Sequence, residues 1–591
     1  MIDVMTHDDA WVAGGCDHPE LGVYAGWVAQ PGSQAARHNV LPDYGRGRLV
    51  LCGEWDSEVA AAGAANATPS LFDRYEKQHG GFFDGLNGLF SGLLIDRQRR
   101  CAQLFNDRYG LQRLYVHQDG GDLYFASEAK ALLALLPGLR KFDDRGVADF
   151  LTFGSVLEGR TLFRGVSVLP GASLWTTRSR NAPIEQTTYF QPAQWEALPA
   201  LSDTEFTATL DQTLRTVLPR HLHSPRELGI SLTGGLDTRM IMACLPSTTR
   251  PATTYTYADQ FGDTLDVRIA ARVAQVCGVP HQTLRLDAAF MSAFSEHVDR
   301  SIYLTDGNAP VLTSHELYLS RQAASLAPIR LTGNYGSEVL RGMSTFKRAH
   351  LAAQLVHPDF SPMLDRAAHD QAARRDHPVT QAAFREIPWH LFGPLAAART
   401  QLVFRTPYMD NALVKLAYQG SPAMRASPRP SLDLVRNNHP ALAAIATDRG
   451  VRATDNALQS WIRRTASTAT FKLDYWHMDG MPRRLSMLNR GIDALAATKW
   501  LDKHKFLPYR RWLRGPLADH LRSALDNAAM QRLPCWHERA LRELAADHIS
   551  GRHNRLREIN AVLTLEAVNR LLIHGTHASR RRTRADALRL A

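Results

Sequence analysis

The stretch Leu228-Gly229-Ile230-Ser231-Leu232-Thr233-Gly234-Gly235-Leu236-Asp237-Thr238-Arg239 constrains this chain more than any other. A short apolar run meets two glycines and then an amphipathic pattern, which reads as a buried strand, a tight loop and a helix N-terminus. A second unit follows, with a strand over 253–258 and a helix from Leu265 to Cys277. Strands alternating with helices point to a parallel sheet, because parallel neighbours need long crossovers. Glycines at the strand–helix junction also leave backbone N–H groups and the positive end of the helix dipole facing one spot, which favours an anion such as phosphate. Thr233 and Thr238 add hydroxyls there, and Asp237 could hold Mg²⁺ against the phosphates. No Lys follows the glycines, so the loop is not of the Walker type. The plainer alternative is a junction in which Gly234-Gly235 supplies only tightness. Arg239 either adds a phosphate contact or caps the outer face of the helix, and His281 closes the second unit structurally.

The texture upstream is different. Residues 1–190 carry short β-type runs such as Leu49-Val50-Leu51-Cys52-Gly53 and Leu89 to Asp96, with hairpin turns at 98–100 and 117–121. A polar stretch over 191–203, with Pro192 and Pro199, reads as a linker, and Thr204 to Leu222 has helical periodicity. From about 345 onward the Ala/Leu/Arg-rich segments read mainly as helices. A chain of 591 residues exceeds one core. The expected division is 1–195 and 204–591.

Composition excludes several classes. No run of about eighteen apolar residues offers a membrane span, and Met1-Ile2-Asp3-Val4 does not begin a signal peptide. The six cysteines lack pairwise motif spacing, which argues for the reducing cytoplasm and against a disulfide framework or a zinc site. The formal charge of +11 comes mostly from dispersed arginine. Its one dense run, Arg580-Arg581-Arg582 with Arg584, reads as a solvated tail rather than a nucleic-acid site.

Taken in order, these segments resemble the asparagine synthetase family. Thr233 to Thr238 is similar to its Ser-Gly-Gly-X-Asp-Ser pyrophosphate loop. Tyr255-Thr256-Tyr257 with Asp266, Ala270, Ala274, Gly278 and His281 resembles its second strand and helix. Leu331 to Glu338 resembles its third phosphate-side loop, and Arg405-Thr406-Pro407-Tyr408-Met409-Asp410 its Arg-Val-Pro-Phe-Leu-Asp segment. In the first half, Leu86 to Phe90, Asn106 to Gly110, Phe125 to Lys130 and Thr161 to Gly171 track the glutaminase portion. The resemblance implies an N-terminal Ntn-hydrolase-like αββα sandwich, then a parallel-sheet ATP-pyrophosphatase domain with a helical C-terminal part. It implies ATP and Mg²⁺ as cofactors. The nucleotide is then expected on Leu232, Thr233, Gly234, Gly235, Asp237, Thr238, Tyr257 and Gly333, and the metal on Asp237 and Glu338.

The departures are informative too. Active glutaminases of this kind use a cysteine exposed as the first residue, with an Asn-Gly-Glu oxyanion segment. Here position 2 is Ile2 and the segment is Cys52-Gly53-Glu54, so glutamine is not expected to supply nitrogen. The third loop has two registers. One aligns Glu338 with a final Glu and loses the metal-binding Asp to Ser337. The other, preferred, aligns Tyr335-Gly336-Ser337-Glu338 with the Tyr-Gly-Ala-Asp of β-lactam synthetases. There Glu338 takes the metal position and Tyr335 helps deprotonate an amine. Glu386 and His390 are candidate partners for Tyr335. The cation expected beside pyrophosphate falls to Arg449 or Lys472.

The expected function is adenylation of a carboxylate and its transfer to an amine. Closure is either intermolecular or intramolecular, as in β-lactam synthetases and lasso-peptide cyclases. Ammonia-dependent asparagine synthesis, amidation of a sugar acid, or a decayed scaffold are the alternatives. Expected partners are a small-molecule or peptide carboxylate with an amine donor, including a precursor peptide and pathway enzymes, with neither membrane nor nucleic acid.

Overall fold

The computed structural model describes residues 1–39, 45–56, 71–78, 80–180, 182–246, 251–260, 262–452, 507–526 and 533–575, with Thr465 and Leu473. Lys472 and the basic run at 580–584 lie outside the described residues.

The first half is a layered β structure. β1 (Val12–His18) and β2 (Val23–Ala29) form an antiparallel hairpin. A five-stranded antiparallel sheet has the order β10-β9-β5-β4-β3. It comprises β3 (Gly47–Asp56), β4 (Asn87–Asp96), β5 (Cys101–Asn106), β9 (Ser173–Thr177) and β10 (Glu185–Thr188). A three-stranded sheet, β7-β6-β8, uses β6 (Tyr115–Asp119), β7 (Asp122–Ala126) and β8 (Ser167–Val168). Side chains alternate along β4 and β5, so the two faces bury different partners. Leu93, Ile95, Ala102 and Leu104 pack between the sheets with Leu114, Val116 and Leu169. Phe90, Leu94 and Phe105 pack outward under Phe72, Phe82 and Phe83 of the helices Leu71–Gln78 and Gly81–Asp84. Helices Ala129–Leu135 and Asp144–Phe153 lie on the far side, completing the αββα sandwich.

The stretch over 191–203 is anchored rather than free. Helix Ala193–Glu196 buries Trp195, whose ring lies 4.5 Å from that of Phe190. Ser202 and Glu205 then form a capping box that starts the helix Asp203–Leu222.

The second half is built on a five-stranded, all-parallel sheet of order β13-β12-β11-β14-β15. Its strands are β11 (Leu228–Ser231), β12 (Thr253–Asp259), β13 (His281–Leu286), β14 (Ile329–Thr332) and β15 (Val403–Arg405). β11 is central and every residue in it is buried, which is why it reads as a continuous apolar run. The chain leaves β11 for β12 on one side and returns as β14 on the other. The carboxyl end of β11 is thus a topological switch point, where open α/β sheets hold ligands. Helix Leu265–Cys277 ends on Gly278 in the left-handed conformation, and His281 opens β13 instead of closing the helical unit. Its Nδ1 lies 2.9 Å from the Thr254 hydroxyl. The last long described helix, Leu556–Val568, is almost wholly buried. Buried apolar residues of the two halves, among them Tyr109, Leu132, Val217 and Ile302, form one connected core. No helix among the described residues is long and apolar enough to cross a membrane.

Candidate functional site

The glycine loop hangs from the end of β11. Leu232 still donates its N–H to the Tyr255 carbonyl at 2.8 Å, and its own carbonyl accepts from the Thr256 hydroxyl at 3.0 Å. Past that point the chain leaves the sheet and turns into the helix Leu236–Ala243. The N-cap of this helix is Gly235, so no side chain satisfies its first amides. The Gly234 N–H donates to Asp266 at 2.9 Å and the Gly235 N–H to the Thr233 hydroxyl at 3.2 Å. The Thr233 and Thr238 hydroxyls stand 3.4 Å apart. A Cβ on Gly234 would fall 2.6 Å from the Asp266 carboxylate, so glycine is what admits that acid. Burial, with Asp448 close by, pushes Asp266 up to about 6. Thr233 is exposed and Gly235 half-buried, so the mouth of the loop is open.

Arg239 is buried and spends its guanidinium on main-chain carbonyls. These are Ile445 at 2.5 Å, Ala446 at 3.1 Å and Gly234 at 3.3 Å. It therefore neither faces the loop's anion position nor caps the helix from outside. With the Asp448 N–H, which donates to the Gly234 carbonyl at 3.0 Å, it straps segment 445–448 to the loop. Arg449 sits at this rim, 3.5 Å from Asp448.

The second wall is the turn after β14. Tyr335 adopts φ 76° and caps the short helix Gly336–Arg341. A Cβ on Gly333 would lie 2.5 Å from the Thr238 nitrogen, and one on Gly336 2.7 Å from Asp237 Cγ. The two loops are thus pressed backbone to backbone. Ser337 donates its hydroxyl to Asp237 at 2.6 Å, and Arg341 Nη2 lies 3.1 Å from the same carboxylate while also bonding Ser337. The Tyr408 hydroxyl donates to the Asp237 carbonyl at 2.7 Å. Burial, with Asp237 and Glu386 nearby, raises Glu338 to about 7.

The remaining candidates take different places. Tyr335 is buried 6.3 Å from the Phe404 ring, and burial pushes its phenol up. Glu386 is also buried. It accepts from the Thr345 N–H at 2.7 Å, the Thr345 hydroxyl at 3.0 Å and the Phe346 N–H at 3.1 Å, which fixes the strap after the helix. His390 lies 3.2 Å from the Ser155 hydroxyl. Tyr257 carries the Arg330 guanidinium 5.2 Å over its ring, on the β14 side of the sheet. Leu232, Thr233, Gly234, Gly235, Asp237, Thr238, Gly333 and Glu338 are thus brought together, with Tyr335 in the same turn and Arg449 at the rim. Sequence reasoning missed Arg341, and it quoted Asp266 and Tyr408 only as motif positions, with no role at the site. Arg341 lies one helical turn after Ser337, a spacing that puts both on one face.

Among the described residues no group of three or more His, Cys, Asp or Glu could hold a metal ion. Asp237 is balanced by Arg341, and Glu338 keeps its proton up to about pH 7. This donor set suits Mg²⁺ arriving with phosphate oxygens and water of its own, not a resident ion.

Residues 62–190 match the glutamine amidotransferase domain family and residues 209–439 the asparagine synthase family, together more than half of the chain. The chain belongs to the asparagine synthetase family. A putative glutamine-hydrolysing asparagine synthetase of Mycobacterium bovis is 25% identical over 272 residues, covering 44% of this chain and 40% of that protein. Asparagine synthetase B of Escherichia coli, named glutamine-hydrolysing, is 26% identical over 171 residues, covering 29% of this chain and 25% of its own. The Penicillium rubens protein Amidase chyE is 25% identical over 333 residues, covering 53% and 47%. The chain spans less than half the length of these relatives.

The segment that resembles the family's Arg-Val-Pro-Phe-Leu-Asp is a hub. Arg405 pairs with Glu54 at 2.8 Å, Thr406 donates to the Asn334 carbonyl at 2.8 Å, and Asp410 accepts from Asn87 at 2.7 Å. With Tyr408 it ties both loops of this family member to its first half. A cavity of about 1480 Å³ lies between the halves, bordered by Cys52, Glu54, Asn87, Arg399, Arg405 and Asp410.

Proposed function

We propose that this chain is an ATP-dependent amide ligase that activates a carboxylate as its acyl-adenylate and passes the acyl group to an amine not drawn from glutamine. The observation that carries the reading is the open, uncapped glycine loop at the carboxyl end of β11, walled by Asp237, Ser337, Arg341 and Glu338. Its amides and helix dipole suit the β- and γ-phosphates of a nucleotide, and the hydroxyls of Thr233 and Thr238 flank them. Held at that end, the α-phosphorus faces outward. A carboxylate oxygen attacks it, the bond to the bridging oxygen of the β-phosphate breaks, and pyrophosphate leaves. An amine then attacks the acyl carbon, AMP leaves, and the amine gives up a proton. Asp237 and Glu338 would hold Mg²⁺ arriving with ATP, which would supply neutralisation of the phosphate charge. The acyl partner in this reading is a small-molecule or peptide carboxylate, the reaction is cytoplasmic, and the working halves are 1–195 and 204–591.

Three features of the first half support an amine other than glutamine-derived ammonia. The oxyanion segment has Cys52 in place of an amide side chain, and Glu54 is committed to Arg405. Burial pushes the Cys52 thiol up to about 11 and raises Cys101 too, so neither is a ready thiolate. The bacterial relatives are named as glutamine-hydrolysing, which favours a second reading in which glutamine is hydrolysed.

The test is to incubate the chain with ATP, Mg²⁺ and candidate carboxylates, supplying ammonium, hydroxylamine or glutamine. AMP and pyrophosphate are expected without glutamate release, with about a hundredfold loss in Asp237→Ala. ADP as the main product would sink adenylation. Glutamate formed in step with AMP would install the second reading.

A further inference from the structure

Arg341 is the least expected side chain at the site. It lies on the same face of its helix as Ser337 and reaches the N-terminal end of helix 236–243, where a cation is unfavourable unless an anion balances it. Asp237 supplies that balance, 3.1 Å from Nη2, with Ser337 as the third member. The arrangement is incomplete in a specific way. Only 13% of the Arg341 side chain is exposed, yet Nη1 is buried with no hydrogen-bond partner among the described residues. A guanidinium carries five donors in a planar fork, and a buried donor left unmade is costly. Among the described residues, three other cations near the loop are already engaged. Arg239 holds three carbonyls, Arg330 lies over Tyr257, and Arg449 pairs with Asp448. Gly333 and Gly336 press the two loops together, which brings the helix that carries Arg341 against the glycine loop.

We propose that Arg341 is a pyrophosphate-binding residue. When nucleotide enters, its guanidinium turns from Asp237 and Ser337 to the β- and γ-phosphates, and the Asp237 carboxylate becomes free for the cation that accompanies them. This rests on the nucleotide reading above and assigns the role of pyrophosphate cation to a side chain on the third loop. Arg is suited to it, because the fork meets two phosphate oxygens at once.

Calorimetry with ATP, pyrophosphate and AMP, each at fixed Mg²⁺, tests the assignment on the full chain. Arg341→Ala is expected to weaken ATP and pyrophosphate at least tenfold and to leave AMP within twofold, since AMP lacks the two phosphates concerned. Arg341→Lys keeps the charge without the fork, and pyrophosphate is expected to weaken at least threefold. If the alanine variant does not fold, the lysine variant decides. Unchanged pyrophosphate affinity in either folded variant overturns the role of Arg341 while leaving the nucleotide site standing. Loss of AMP alongside pyrophosphate also overturns it, because the site has then collapsed. A wild-type chain that binds neither ATP nor pyrophosphate removes the nucleotide reading and this inference together.

Discussion

At the scale of single residues, the site depends on glycines that let two loops touch and on acids held where water is scarce. Gly333→Ala would place a methyl group 2.5 Å from the Thr238 nitrogen. Overpacking of this kind costs about 1–3 kcal/mol. At least tenfold weaker ATP binding and a lower urea midpoint are expected, with Gly235→Ala, whose new Cβ meets only the Thr233 hydroxyl at 3.3 Å, as the mild control for the urea midpoint alone. Asp266 makes a pH prediction. Its carboxyl is raised to about 6 by burial first and by Asp448 second. The folded state therefore holds a proton that the unfolded chain has released, and this acid costs stability as pH rises from about 4 through 6. Wild-type melting temperature should fall relative to Asp266→Asn across that window, and parallel curves would contradict the assignment.

Elements show what was legible in the sequence and what was not. The bounds of the helix Leu265–Cys277, the buried strand β11 and the hairpin turns followed from periodicity, because local burial imposes those patterns. His281 was misplaced, although Gly278 and Pro280 break the helix and the run His281 to Leu286 alternates as a strand does. The stretch around Trp195 looks like a linker because its ring has one partner near in sequence, Phe190. Its other ring partners, Phe384 and Tyr418, lie far along the chain. Much of the glycine loop could be read in advance. The pairing of Asp237 with Ser337 could not, since it joins positions one hundred residues apart through loop contact alone. Nor could the strap held by Arg239, whose partners are carbonyls that leave no trace in residue type. Removing it with Arg239→Met leaves the Ile445 and Ala446 carbonyls short of a donor, while the Gly234 carbonyl keeps the Asp448 N–H. A loss of about 2 kcal/mol is expected, with faster hydrogen exchange over 445–451, and unaltered exchange there would argue against the strap.

On the scale of the whole molecule, the halves are joined by charge as well as by apolar contact. Lys130 is buried with its ammonium 2.6 Å from Glu128 and 3.3 Å from Asp306, and Asp306 also accepts the Ala129 and Lys130 N–H groups. Both carboxylates keep that ammonium charged against the effect of burial. Asp306→Ala takes away one partner and should cost about 3–5 kcal/mol. Limited proteolysis of the first half should accelerate, while an equally resistant variant would show the seam to be held by packing alone.

The position of β15 has one more implication. It is a three-residue strand at the margin of the parallel sheet, and its unpaired side looks into the cavity shared with the first half. Raw strand margins recruit other chains. Arg405 to Glu54, and Gln30 to the Arg399 carbonyl at 2.9 Å, close this one from across the seam. Whatever its own chemistry, the first half serves here as a shield, and residues 204–591 expressed without it should precipitate by edge-to-edge pairing.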